Sequence, residues 1–278
     1  GASLKEINAG VAGTTSTFNS NVYASNLNMT GAGTVVLNSD LTGNVVTTGN
    51  NQGILTTTGA NQTITGNIGS STSLDLNTLN IGSNTDATNY SKTTINGNVF
   101  ADSTVLNNNG TTNSSELILA SGKNITSTIT TTDANMGILT LAGGIQTVTG
   151  QVGNGNKLAE VNAGNGTSTF VNDVYATNLD VEGTGTVNLD GNFTGTAIRY
   201  NADGTVILAD TKNINSAITT AVDNTGTLSL EGSSTVTGQV GASGASLKEI
   251  NAGVAGTTST FAYDVYATNT NICSGRVD

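Results

Sequence analysis

Short runs of alternating apolar and polar residues recur along the whole chain, most of them opened by glycine. The pattern Gly-x-apolar-x-apolar reads GTVVL at Gly33–Leu37, GILTT at Gly53–Thr57 and GILTL at Gly137–Leu141. It returns as GTVNL at Gly185–Leu189, GTVIL at Gly204–Leu208 and GTLSL at Gly226–Leu230. Alternation over so few residues predicts short strands with one face inward. Val35 and Leu37 share that face, as do Leu228 and Leu230. In TVTGQVG, Val236, Gly238 and Val240 take one parity, and Thr235, Thr237 and Gln239 the other. Through FVNDVYATNLDV the parity changes: Phe170 agrees with Val174, but Leu179 and Val181 agree with Tyr175. A corner near Ala176–Asn178 reconciles them. No window carries a sustained i, i+3, i+4 apolar pattern, so no helix is expected.

Adding LNTL, SELIL, KLAEV and SLKEI, the apolar anchors fall at Thr57, Leu79, Leu119, Leu141, Val161, Leu189, Leu208, Leu230 and Ile250. Their steps are 22, 40, 22, 20, 28, 19, 22 and 20 residues. A period of about 20–22 residues is that of a solenoid. The expected fold is all-β, a right-handed parallel β-helix with three short strands per coil, feeding two or three parallel sheets. About ten to twelve coils at ~4.8 Å would make a rod on the order of 50–60 Å long. The 28-residue step from Val161 to Leu189, and the 30 residues from Ile7 to Leu37, predict a longer coil. The 40-residue step from Leu79 to Leu119 predicts two coils, with surface loops at Asn84–Lys92 or Leu106–Ser115.

A longer repeat overlies the short one. Gly226–Phe261, Gly137–Phe170 and, more loosely, Gly53–Gly69 with Leu76–Gly82 are copies of one text, and a detached piece opens the chain at Ser3–Phe18. Gly69, Gly153 and Gly241 close its TITGNIG/TVTGQVG signature at spacings of 84 and 88 residues. We read a single repeat domain over residues 1–278, with segments at about 1–69, 70–153, 154–241 and a partial 242–278. Asn8, Asn162 and Asn251, in INAG and VNAG, are expected at equivalent corners. There asparagine adopts left-handed geometry and pairs with backbone or with neighbouring asparagines. A glycan-contacting row of amides is the functional alternative. Tyr23, Phe100, Tyr175 and Tyr266 recur once per long repeat, too far apart for one stacking platform, and read as outward filler or core of a longer coil.

Composition sharpens this picture. The 278 residues include 36 glycines and no proline or tryptophan, which suits strands joined by positive-φ turns. A net charge of −11, eight basic residues and no histidine exclude a nucleic-acid footprint and disfavour anionic membranes. The lone Cys273 leaves no disulfide. No stretch is long and apolar enough for a membrane helix, and no signal peptide opens the chain. It reads as a mature or excised segment cut in mid-repeat, with uncapped edges inclined to pair end to end.

Catalysis would need clustered carboxylates with a base. The nearest candidates are Asp180, Glu182 and Asp190 near Arg199. Asp180 and Glu182 share a strand face at roughly 7 Å. With Leu179 and Val181 as the inward pair, however, both read as solvated flanks. No catalytic residue, cofactor or metal is therefore expected: the calcium nonapeptide GGxGxD is missing, and GNGNKLAE at Gly153–Glu160 lacks the ending of a phosphate loop.

GTGTVNLDGNFTGT at Gly183–Thr196, NADGTVILADTKNINSAITT at Asn201–Thr220 and STVTGQVG at Ser234–Gly241 carry a resemblance. The chain resembles the passenger region of rickettsial surface cell antigens, the outer membrane protein A and B group of autotransporters. The likeness covers all but the final CSGRVD. It implies export to the bacterial cell surface, a repeat domain there, and roles in host-cell adhesion, antigenicity and a surface layer, with a host surface protein or glycan as partner. The family's C-terminal translocator barrel and leader do not appear here. Rival readings are a β-helix polysaccharide-active enzyme and a surface-layer segment without a receptor.

Overall fold

The computed structural model describes residues 3–83, 90–108 and 114–278. Among the described residues the fold is all-β, a parallel solenoid of about 13 turns. In chain order the first strands are β1 (Leu4–Ala9), β2 (Thr15–Phe18), β3 (Val22–Met29), β4 (Thr34–Leu37), β5 (Leu41–Thr47), β6 (Ile54–Thr57) and β7 (Asn61–Ile64). Next come β8 (Leu76–Ile81), β9 (Lys92–Ile95), β10 (Val99–Leu106), β11 (Glu116–Leu119), β12 (Ile125–Thr131), β13 (Met136–Leu141) and β14 (Gly144–Val148). Then follow β15 (Leu158–Ala163), β16 (Gly166–Phe170), β17 (Val174–Val181), β18 (Thr186–Leu189), β19 (Phe193–Tyr200), β20 (Thr205–Leu208) and β21 (Asn213–Thr220). The last are β22 (Thr227–Leu230), β23 (Thr235–Val236), β24 (Leu247–Ala252), β25 (Thr258–Phe261), β26 (Ala267–Ile272) and β27 (Arg276–Val277).

Two units divide the chain: Gly1–Thr140 with Gly153–Ala159, and Leu141–Val152 with Glu160–Asp278. In each, every strand pairs in parallel with the strand two further on. The first unit runs β1-β3-β5-β7-β9-β11-β13 in one sheet and β2-β4-β6-β8-β10-β12 in the other. The second runs β15-β17-β19-β21-β23-β25-β27 and β14-β16-β18-β20-β22-β24-β26.

Register stacks like on like. In the first unit Val22, Leu41, Ile64, Ile95 and Leu119 form one column through successive turns. In the second, Val148, Phe170, Leu189, Leu208 and Leu230 form another, each no more than 1% exposed. Burying each such side chain contributes about 1.5–3 kcal/mol, so the columns dominate cohesion. Between them the alternation holds: Thr34 and Val36 face out while Val35 and Leu37 are buried.

Turn lengths differ from the expected ones in three places. Leu189 lies on Phe170, 19 residues back, and Ile7 pairs with Leu27 while Phe18 pairs with Leu37. There is thus no longer coil at either place. Leu79 pairs with Thr104, and Leu119 with Ile95, so the 40-residue step joins two different columns. The cause is common: strands of both sheets carry the same alternation, so a list of apolar anchors mixes the two.

Two strands per turn replace the expected three. Longer strands such as β3 bend where the register shifts between Tyr23 and Asn26, fusing two short strands into one. Gly43 on the next turn allows this bend. Its φ is 142°, and a Cβ there would lie 1.7 Å from the Ala24 carbonyl oxygen. The corner expected near Ala176–Asn178 is a change of parity inside β17, where Thr177 and Asn178 are both half-buried and the inward set then resumes at Leu179.

Most of the two expected surface loops falls on residues 84–89 and 109–113, outside the described residues. Their described flanks are mixed: Tyr90 and Lys92 are exposed, and their neighbours are not. Ser91, Asn107, Asn108 and Ser115 are buried, and the Ser115 backbone N–H donates to Asn108 Oδ1 at 2.7 Å.

Candidate functional site

Gly69, Gly153 and Gly241 adopt φ of 68°, 69° and 64°, the left-handed corners that a side chain disfavours. Asn8, Asn162 and Asn251 do not sit at corners. They lie inside β1, β15 and β24, and the left-handed residues are the glycines two positions on, Gly10, Gly164 and Gly253, at φ 68°, 85° and 68°. The asparagine side chains instead link turns. Asn28 Nδ2 donates to Asn8 Oδ1 at 2.9 Å, and Asn271 Nδ2 to Asn251 Oδ1 at 2.8 Å.

A second set of side chains, of which only Asn67 falls in the long repeat's signature, closes the backbone from turn to turn. In the first unit Asn44 Oδ1 accepts the N–H of Asn67 at 2.9 Å, Asn67 Oδ1 that of Asn98 at 2.8 Å, and Asn98 Oδ1 that of Asn124 at 2.9 Å. In the second, Asp173 accepts from the N–H of Asn192 at 2.8 Å, Asn192 from Asn213 at 2.9 Å, and Asn213 from Thr235 at 3.0 Å. The sequence signal is an amide or carboxylate directly before a buried apolar residue of a column. It reads Asn44-Val45, Asn67-Ile68, Asn98-Val99, Asn124-Ile125, Asp173-Val174, Asn192-Phe193 and Asn213-Ile214.

Carboxylates do the same work at other turns. Asp40 accepts from the Thr63 N–H at 2.8 Å, Asp75 from Asn51 at 2.6 Å, Asp210 from Ser233 at 2.7 Å and Asp223 from Ser246 at 2.8 Å. Asp203 accepts from Gly226 N–H at 3.1 Å and from Lys248 Nζ at 2.6 Å. The Lys248 hydrogen bond chiefly, and the Gly226 N–H after it, hold the Asp203 carboxyl below the usual range. Much of the acidic charge is therefore spent on backbone N–H groups rather than pooled in one place.

The cluster considered for acid–base chemistry is not assembled as expected. Asp180 is 2% exposed, not a solvated flank, because Arg199 on the next strand lies over it. Arg199 Nε donates to Asp180 Oδ1 at 2.5 Å and its Nη2 to Oδ2, while Nη2 also reaches Glu160 Oε2 at 3.2 Å. Hydrogen bonding to Asp180 raises the Arg199 pKa, and burial opposes this. Glu182 is turned to Asn201, whose Nδ2 donates to it at 2.7 Å, and Asp190 is exposed. What the arrangement does is pin three successive strands together.

The recurrent aromatics face outward, and the valine and alanine beside them are buried in the first three copies but not at Val265 and Ala267. Tyr23 is 54% exposed, and Phe100, Tyr175 and Tyr266 are half-buried. Tyr200, which the sequence reading does not single out, joins Phe170 and Phe193 as a large buried aromatic of the second unit's core. It is 1% exposed, with its hydroxyl donating to the Thr227 carbonyl at 2.6 Å. Among the described residues no three His, Cys, Asp or Glu gather as a metal site, and no helix is long and apolar enough to cross a membrane. Cys273 is exposed and unpaired with another cysteine. Compared with protein-family models, with curated proteins and with solved structures, the chain finds no match.

Proposed function

We propose that this chain is a surface repeat segment of a bacterial autotransporter passenger, serving as a spacer and as an adhesive, antigenic face towards host cells. The observation that carries the reading is the turn-to-turn bonding itself. Aliphatic columns inside and side-chain acceptors at the corners devote the chemistry-bearing residues to stacking, which is what a spacer requires. The outward rows of Thr, Asn and Asp offer a hydrogen-bonding acidic face rather than a pocket. The resemblance of Gly183–Thr196, Asn201–Thr220 and Ser234–Gly241 to rickettsial surface antigens supplies the cell-surface context.

The test is display of this chain on a bacterial surface, fused to a heterologous autotransporter barrel. Expected results are accessibility to external protease and adhesion to cultured mammalian cells above a barrel-only control. Surface display without adhesion would leave a spacer or surface-layer segment, and failure to cross the outer membrane would contradict the passenger reading.

A further inference from the structure

Each copy of the long repeat follows its TITGNIG/TVTGQVG signature with a corner closed by an antiparallel bridge: Ser71 with Leu74, Asn154 with Asn156 and Ala242 with Ala245. The middle corner is the tightest and differs in chemistry. It reads Asn154-Gly155-Asn156, where the others read Ser71-Thr72-Ser73 and Ala242-Ser243-Gly244. An asparagine before glycine exposes its side-chain amide carbon to the next backbone nitrogen, because no Cβ hinders the approach. The chain holds four such pairs: Asn96-Gly97, Asn109-Gly110, Asn154-Gly155 and Asn165-Gly166. Asn109 and Gly110 lie outside the described residues.

The fold treats the other three differently. For the nitrogen to reach the amide carbon, the peptide between the two residues must turn. Gly97 is buried, and a Cβ there would collide with the Gly66 carbonyl. Its neighbours are tied as well: Asn96 N–H donates to the Ile64 carbonyl at 2.9 Å and Asn98 N–H to Asn67 Oδ1 at 2.8 Å. Gly166 opens β16 in register with Gly144, whose carbonyl oxygen a Cβ would strike. Gly155 stands apart. It is exposed at φ 62°, and a Cβ there would meet nothing within 4 Å. Among the described residues, neither the exposed Asn154 side-chain amide nor the Gly155 N–H has a hydrogen-bond partner. The corner is anchored at its two feet, by Gly153 N–H on the Ile129 carbonyl at 2.7 Å and Asn156 Nδ2 on that of Thr132 at 2.9 Å.

We propose that Asn154 is a self-modifying site, converted in the folded protein to aspartate and isoaspartate with no enzyme. The Gly155 nitrogen gives up its proton and bonds to Asn154 Cγ, and the side-chain nitrogen leaves as ammonia. The five-membered imide that results is opened by water at either carbonyl. One opening restores the ordinary main chain with a carboxylate on residue 154. The other routes the main chain through Cβ, one bond longer. Both add a negative charge to an already acidic chain. The longer route also spreads a corner that the Asn154 N–H now closes on the Asn156 carbonyl at 3.3 Å. Asn96 and Asn165 carry the same chemistry but react only when their turns open, which costs free energy. The conversion does not depend on what the outer surface binds.

The test incubates the full chain at mildly alkaline pH, with Asn109→Gln so that the tryptic fragments ending at Lys123, Lys157 and Arg199 each hold one pair. Mass spectrometry of those fragments reads the exchange of amide for acid, and an isoaspartate-specific methyltransferase reads the rearranged main chain. In the folded protein Asn154 should convert at least about tenfold faster than Asn96 or Asn165. In denaturant the three should convert at similar rates. Gly155→Ala should slow Asn154 by about tenfold, since a Cβ crowds the attacking nitrogen. Asn154→Gln should remove the isoaspartate signal from its fragment. Equal rates at the three sites in the folded chain would overturn the proposal. So would an Asn154 that keeps its amide while the denatured chain loses it, or a preference for Asn154 that survives denaturation unchanged.

Discussion

Asn98 and Asn124 are joined across one turn by a single hydrogen bond, the side-chain oxygen of the first accepting the backbone N–H of the second at 2.9 Å. The bond closes a corner where the sheets cannot supply an acceptor, since the strand proper starts only at Ile125. It is one link of a series that each unit repeats, so its removal should be felt locally and alike at each rung.

Asn192 is the rung best suited to a test. It donates both N–H and Nδ2 to Asp173 and accepts from Asn213. Asn192→Ala should cost about 1–3 kcal/mol by leaving the Asn213 N–H without its acceptor. Asn192→Asp keeps that acceptor but sets a carboxylate against Asp173, so it should be destabilising at neutral pH and partly restored in mild acid. Chemical denaturation at two pH values reads both.

Asp180 and Arg199 should respond unequally. Removing the carboxylate leaves a guanidinium that is 39% exposed and still paired with Glu160, a loss of about 1 kcal/mol. Removing the guanidinium strands a nearly buried carboxylate, a larger loss of about 3 kcal/mol. Urea midpoints of Asp180→Asn and Arg199→Met should therefore fall in that order, and equal shifts would show that the pair is not buried as described.

Gly226 has φ of 89°, and a Cβ there would lie 2.4 Å from the Tyr200 ring. Gly226→Ala should destabilise by about 2–4 kcal/mol from overpacking together with backbone strain. Adding Tyr200→Leu should recover the packing part but not the strain. Melting of the single and double variants separates the two.

Burial raises the Tyr200 pKa far above that of a free tyrosine. The folded state thus favours the neutral phenol, a contribution intact below the unfolded pKa near 10 and lost progressively as pH rises above it. Alkaline unfolding should begin above about pH 10 and be blunted by Tyr200→Phe.

The fold was legible because its signal is redundant: each turn repeats an inward pair such as Val187 with Leu189 or Val206 with Leu208, and any few would reveal the alternation. Turn boundaries were less so. Leu79 and Leu119 look alike in sequence but belong to different columns, since alternation reports that a residue faces inward and not which sheet it serves. Asn8 was misplaced for a related reason. Asparagine beside glycine suggests a corner, yet Gly10 provides the positive φ and leaves the amide free to bond along the stack. The Asn44–Asn124 series escaped notice because its members fall 23 to 31 residues apart, out of step with the long repeat. Asp180 was assigned to solvent from parity alone. Its cover comes from Arg199, which is adjacent only after the turn closes.

The account rests on parallel turns stacked in register, and one distance tests that most directly. Thr147, Thr169, Asn188, Ile207, Ser229 and Asn251 are successive register partners on an outward row of the second unit. With Cys273→Ser, spin labels at Thr147→Cys and Asn251→Cys should therefore lie about 24 Å apart, five strand spacings, despite their distance in sequence. Moving the second label to Ser229→Cys should shorten the separation by about one spacing, ~5 Å. Pulsed electron resonance giving a narrow distribution with that increment is the predicted result. A broad distribution, or a separation that does not change by one strand spacing, would contradict the stacked-turn account.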